Sequence, residues 1–123
     1  MKKVERVERG WGGHFICADR CMFRRNTLLT CGDRRVIVSS VGLMKSLRGA
    51  EEKFEEIGHQ RYYETMAFEA QHDGRYWDAD VSKEVQFSSP WAIADVDADD
   101  RANDMHEAVV SEIISSLRSN KSV

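Results

Sequence analysis

The sequence predicts an α+β domain, a mainly antiparallel β-sheet with a long C-terminal amphipathic helix packed on it. Three observations carry that expectation. β-favouring stretches crowd the first two thirds of the chain, and the clearest has Val36, Ile37, Val38 and Val41 running out into Gly42. Two turn signals, Cys31-Gly32-Asp33 and Asp73-Gly74, each separate a pair of such stretches, as hairpins do. From Ala102 the apolar residues recur at 102, 105, 109, 110, 113, 114 and 117, a three-and-four spacing that marks one face of a helix.

The elements follow in chain order. "GHFICAD" (13–19) and "FRRNTLL" (23–29) read as strands with little helical signal, and "DRRVIVSSVG" (33–42) as the strand that returns from the Cys31–Asp33 turn. "MKSLRGAEEKFEEIGHQ" (44–60) is charged and punctuated by glycine; it reads as an exposed loop with one helical turn at Glu51–Ile57. Tyr62, Met66, Phe68 and Ala70, the Asp73-Gly74 turn, and then Tyr76 and Trp77 make a second hairpin, for a sheet of four to six strands. Pro90, the only proline, falls in the connection before the helix. Asp99 or Asp100 is the expected helix cap, in an acidic cluster that also holds Asp95, Asp97 and Asp104, and Arg118 and Lys121 lie near the other end.

Size and composition suit one domain over residues 1–123: 41% hydrophobic and 32% charged is ordinary for a globular chain. No apolar run approaches the ~18 residues of a membrane span, and the basic start "MKKVERVERG" has no hydrophobic stretch behind it, so a cytoplasmic location is expected. Three cysteines, an odd number, do not make a secreted disulfide framework.

The net charge of −3 conceals an asymmetry. Residues 1–48 hold eleven basic against four acidic side chains, and residues 49–123 hold seven against seventeen. Salt bridges between the halves are the plain reading. Arginine outnumbers lysine twelve to six, however, and the guanidinium fork suits bidentate grip on phosphate or carboxylate. A nucleic-acid polymer fits poorly, because its binders usually show a net basic surface; a small anion needs only a basic pocket.

Catalytic and metal motifs are wanting. His14, Cys17, Cys21 and Cys31 have zinc-ligand chemistry without the two close pairs of a structural site, so no metal is expected. "DVDADD" lacks the glycine and the terminal glutamate of an EF-hand, and no phosphate-binding loop, nucleophile elbow or H-E-x-x-H appears. The four histidines are scattered, none in a recognisable catalytic setting. What remains is a recognition set. Trp11, Phe15, Phe23, Tyr62, Tyr63, Trp77 and Trp91 are many aromatics for such a core, and Arg24, Arg25, Arg61 and Arg75 interleave with them. An aromatic face stacks a base, an arginine fork meets phosphate, and Asn26 and Asn103 offer the donor–acceptor pairs that read a base edge or a ribose.

The strings "GWGGHFICADRCMFRRNTLL", "VIVSSVG", "RYYETMAFEA", "YWDADVS" and "ANDMHE" together resemble the phage Thoeris anti-defence family, the first described of the signal-sequestering sponge proteins. The resemblance runs from Gly10 to about Leu117, leaving Arg48–His59 unmatched. It implies a homo-oligomeric protein without catalysis or cofactor. Such a protein binds a cyclic ADP-ribose isomer in the host cytoplasm and withholds it from the effector; some members also hold cyclic oligonucleotides. The positions that could supply the family's aromatic, arginine and asparagine contacts are Trp11, Phe23, Arg24, Arg25, Asn26, Tyr63, Asn103 and Arg118. Two rival classes remain: an enzyme acting on a nucleotide, with His14, Glu64, Asp78 and Asp80 as candidate acids and bases, and a protein-binding inhibitor of anti-CRISPR type that presents an acidic surface.

Overall fold

A computed structural model describes residues 2–10, 12–14, 18–46 and 53–119. The elements are β1 (Glu5–Glu8), a 3-10 turn (Ala18–Arg20), β2 (Cys21–Cys31), β3 (Arg34–Lys45), β4 (Phe54–Glu55), β5 (Tyr63–Asp73), β6 (Tyr76–Val85), β7 (Ala92–Ile93) and α1 (Asp99–Arg118). The strands form one sheet in the order β1-β2-β3-β5-β6, with β4 beside β3 and β7 beside β5, every pair antiparallel. The fold class is therefore the one the sequence predicts. The strand count exceeds the expected four to six because β4 and β7 are two-residue pairings too short to leave a pattern. Among the described residues no helix is long and apolar enough to cross a membrane.

Both hairpins turn where the turn residues sit. Cys31 pairs with Arg34 around Gly32 at φ 60°, and Asp73 pairs with Tyr76 around Gly74 at φ 63°, a left-handed backbone that glycine adopts without steric cost. Side chains alternate across the sheet, so one face of β2, β3 and β5 meets α1 and the other does not. On the helix face Leu29, Val36, Val38, Ala67 and Val85 pack against Val109, Val110, Ile113 and Leu117. Nearer the helix start, Phe23, Leu43 and Tyr63 pack with Ala98, Ala102 and Met105. All the apolar stripe positions read from the sequence lie in these clusters or at their margin, as Ile114 does.

Three local expectations are corrected. Of the strand expected over 13–19, Ala18–Arg20 forms a 3-10 turn and His14 lies in a bend; Cys17 is outside the described residues. Of the helical turn expected at Glu51–Ile57, Phe54 and Glu55 pair with Lys45 and Met44 as a strand. The helix begins after Ala98, which makes no side-chain cap bond; Asp99 and Asp100 stand in the first turn instead. The Asp99 carboxylate accepts a hydrogen bond from the Tyr63 hydroxyl at 2.6 Å, a tertiary tie that replaces a cap. Burial and that carboxylate push the Tyr63 phenol up to about 12.

Candidate functional site

The sheet face away from α1 carries the polar constellation. In the antiparallel register Asn26, Ser39 and Met66 form one cross-strand row and Arg24, Val41 and Glu64 the next, all on this face. The chain leaving β1 crosses it. Arg9, the residue after β1, is buried there and donates from Nε (3.0 Å) and a terminal nitrogen (2.8 Å) to Asn26 Oδ1, and from the other terminal nitrogen to the Trp77 carbonyl. Burial lowers its pKa, opposed by the nearby Asp78 carboxylate. Gly12 passes so close over Asn26 that a Cβ would stand 2.5 Å from its amide nitrogen, so any larger residue here would have to displace the Asn26 side chain.

Two residues further on, the His14 ring bridges two strands. Its Nδ1 lies 2.9 Å from Ser39 Oγ and its Nε2 lies 2.9 Å from Glu64 Oε1, while its backbone N–H donates to Ser39 Oγ at 3.1 Å. Glu64 Oε2 in turn accepts from Arg61 Nε at 2.7 Å. The histidine and glutamate side chains are 4% and 6% exposed. Burial alone would raise the Glu64 pKa, but the hydrogen bonds from His14 and Arg61 outweigh it and hold the carboxyl below its usual range. An ionised Glu64 makes Nε2 the donor and leaves Nδ1 free to accept from the Ser39 hydroxyl. Serine, histidine and acid stand in line as in a catalytic triad, but the ring nitrogens are reversed, with the serine on Nδ1 and the acid on Nε2, and Ser39 is fully buried.

Arg61 ends this chain at the surface. Its guanidinium lies 5.0 Å from the Trp91 ring centre and passes over Gly58, where a Cβ would fall 2.2 Å from the guanidinium carbon. Beside it opens a cleft of about 320 Å³, lined among others by Arg61, Glu64, Met66, Glu84, Gln86 and Trp91. Trp91 is held by its backbone, whose carbonyl accepts from Thr65 N–H at 2.8 Å, while its side chain is half exposed. On the far side of the same sheet face, Arg35 lies 4.2 Å over the Trp77 ring.

The residues proposed from the sequence are spread over both faces. Phe23 and Tyr63 meet edge to face, ring centres 5.5 Å apart, in the core under the helix start. Arg24 is exposed on the opposite face, and it has no ion pair or hydrogen bond among the described residues. Arg25 lies at the helix margin, 2.7 Å from Glu8 and 2.8 Å from Glu107. Asn26 is buried against Arg9. Asn103 and Arg118 are exposed on α1, fifteen residues and hence about 22 Å apart. Trp11 lies outside the described residues. Among the described residues of this set, only Arg24 and Asn26 share a face outside the core; Arg25 and Asn26, adjacent on a strand, cannot.

Sequence reasoning missed Arg9, Ser39 and the cleft. Consecutive serines at 39 and 40 inside an apolar strand were the available signal, since buried hydroxyls need partners on both faces. Ser40 indeed serves the helix side, 2.6 Å from His106 Nδ1, while Thr27 Oγ1 lies 2.7 Å from His106 Nε2.

Metal ligation gains little support. Cys21 and Cys31 end the same eleven-residue strand, some 30 Å apart, so they cannot share an ion. Glu8, His106 and Glu107 bring ligand atoms within 4.8 Å of one another. Arg6 and Arg25, however, already pair with both carboxylates and supply the positive charge a metal would bring. No family model matches the chain, and no curated protein or solved structure matches it either.

Proposed function

We propose that the chain is a non-catalytic capture protein for a small cyclic nucleotide signal of the cyclic ADP-ribose type, a sponge of the Thoeris anti-defence kind acting as a homo-oligomer in the host cytoplasm. The observation that carries this reading is Arg24. It is an exposed guanidinium with no acidic partner among the described residues, on a sheet face that also holds Asn26 and the buried cation Arg9. Phosphate is the ligand group that such a fork accepts. The resemblance of the sequence strings supplies the ligand class. Asn103 and Arg118, too far apart for one small ligand within a single chain, come into play only where a second copy brings its own helix to the site. Withholding a scarce signal requires nanomolar capture, about −12 kcal/mol, and slow release.

A second reading is hydrolysis of the nucleotide with the paired His14 and Glu64 as base and acid, since the fully buried Ser39 cannot act as a nucleophile. One experiment separates the readings. The protein is incubated with cyclic ADP-ribose isomers, heat-denatured, and the supernatant analysed by mass spectrometry. Intact ligand released from the protein supports capture, altered ligand supports hydrolysis, and no bound ligand at micromolar concentration removes both in favour of a protein-binding inhibitor.

A further inference from the structure

We infer that the cleft beside Trp91 is a binding site for a planar organic cation of the amidinium or guanidinium class. This does not depend on the function proposed above.

The charge count of the lining decides the class. Arg61 and Glu64 cancel, being paired at 2.7 Å, and the rest of the Glu64 charge is engaged by His14. Glu84 is left. It lies on the outer strand β6 opposite Phe68, is exposed, lines the cleft, and has no hydrogen bond or ion pair among the described residues. The cleft therefore presents one uncompensated carboxylate and repels phosphate.

Its other walls fit the body of such a ligand. The half-exposed Trp91 indole offers a face rich in π density, which attracts cations, and Arg61 already sits over this ring as a guanidinium does. Met66 adds a polarisable apolar wall, and the exposed Gln86 amide can accept a second N–H from a forked head. The parts are fixed in advance. β5–β7 pairing holds the strand into which Trp91 runs, the Thr65 N–H bond holds its carbonyl, and Glu64 with Gly58 holds Arg61. A volume of about 320 Å³ admits a single ring with its substituent and little more.

The test uses the full chain and three isosteric probes: benzamidinium, neutral benzamide and anionic benzoate, titrated by calorimetry and by the indole N–H resonance of Trp91. The expected result is benzamidinium binding at least tenfold more tightly than benzamide, with benzoate not binding. Glu84→Gln, an exposed edge-strand change, should erase the preference while leaving thermal unfolding unaltered, and Trp91→Leu should remove binding of both. Equal binding of benzamide, preferred binding of benzoate, or an unchanged preference in Glu84→Gln would each overturn the inference. N-acetylarginine amide, run as a further arm, separates the sources: tighter binding than benzamidinium assigns the site to an arginine side chain of a peptide, weaker binding to a free small molecule.

Discussion

His14 Nε2 lies 2.9 Å from Glu64 Oε1 although fifty residues separate them in the chain. The pair fastens the crossing segment after β1 to the centre of the sheet, because the other ring nitrogen is bonded to Ser39 on the adjacent strand. His14→Ala leaves a buried carboxylate and a buried hydroxyl each short of a partner, and should cost about 1–3 kcal/mol of stability. Urea denaturation measures it; an unchanged midpoint would mean that the ring contributes nothing as a fastener. Since Glu64 is held below its usual pKa, its contribution is complete above pH 4.5 and is lost as the pH falls below that value.

Gly42 stands between Phe23 and Tyr63 in the cross-strand register, and the two rings meet edge to face beside it. A Cβ at position 42 would lie 2.3 Å from the Tyr63 ring and 3.0 Å from the Tyr62 carbonyl. Tyr63 has no room to retreat, being fully buried and bonded to Asp99. Gly42→Ala should therefore destabilise by about 1–3 kcal/mol, the usual penalty of overpacking, and lower the melting temperature by several degrees. Differential scanning calorimetry checks the shift.

His106 is buried between α1 and the sheet, both ring nitrogens bonded to hydroxyls, and its pKa falls to about 4. Burial is the largest cause; Arg25 and Arg6 push the same way, while Glu8 and Glu107 oppose them. The unfolded chain takes up a proton near pH 6.5 and the folded one only near 4. The stability present above pH 6.5 is thus lost progressively down to pH 4, by roughly 3 kcal/mol at most. His106→Gln should flatten the unfolding free energy across that window at some cost in stability. An equally steep pH profile in the variant would refute the assignment.

Arg24 and Arg25, adjacent in sequence, should behave differently when truncated. Arg24→Ala removes an exposed side chain without partners among the described residues, so the melting temperature should stay within a degree or two while affinity for a cyclic ADP-ribose isomer drops at least tenfold. Arg25→Ala breaks ion pairs with Glu8 and Glu107 and should cost up to about 1 kcal/mol, less at high salt. Calorimetry on both variants, with ligand and without, separates recognition from support. Unchanged affinity in Arg24→Ala would argue against a phosphate contact there.

The signals that proved legible are local ones. The period of three and four from Ala102 to Leu117, the glycine turns at 32 and 74, and the valine-rich run of β3 each depend on neighbours within a few residues, where backbone geometry follows directly from side-chain type. Those determined the fold class and both hairpins. What the sequence could not settle was which distant polar groups meet. Glu64 was a candidate acid and His14 a candidate base, yet nothing within ten residues of either announces the other; only the β3–β5 register and the path of the chain over the sheet bring them to 2.9 Å. In the run Phe23-Arg24-Arg25-Asn26 the alternation of faces is legible from the strand itself, but which face meets the helix is not: the fold turns Phe23 into the core and Arg24 to solvent. Periodicity is a property of a segment, whereas a site depends on pairing between segments, which the tertiary fold decides.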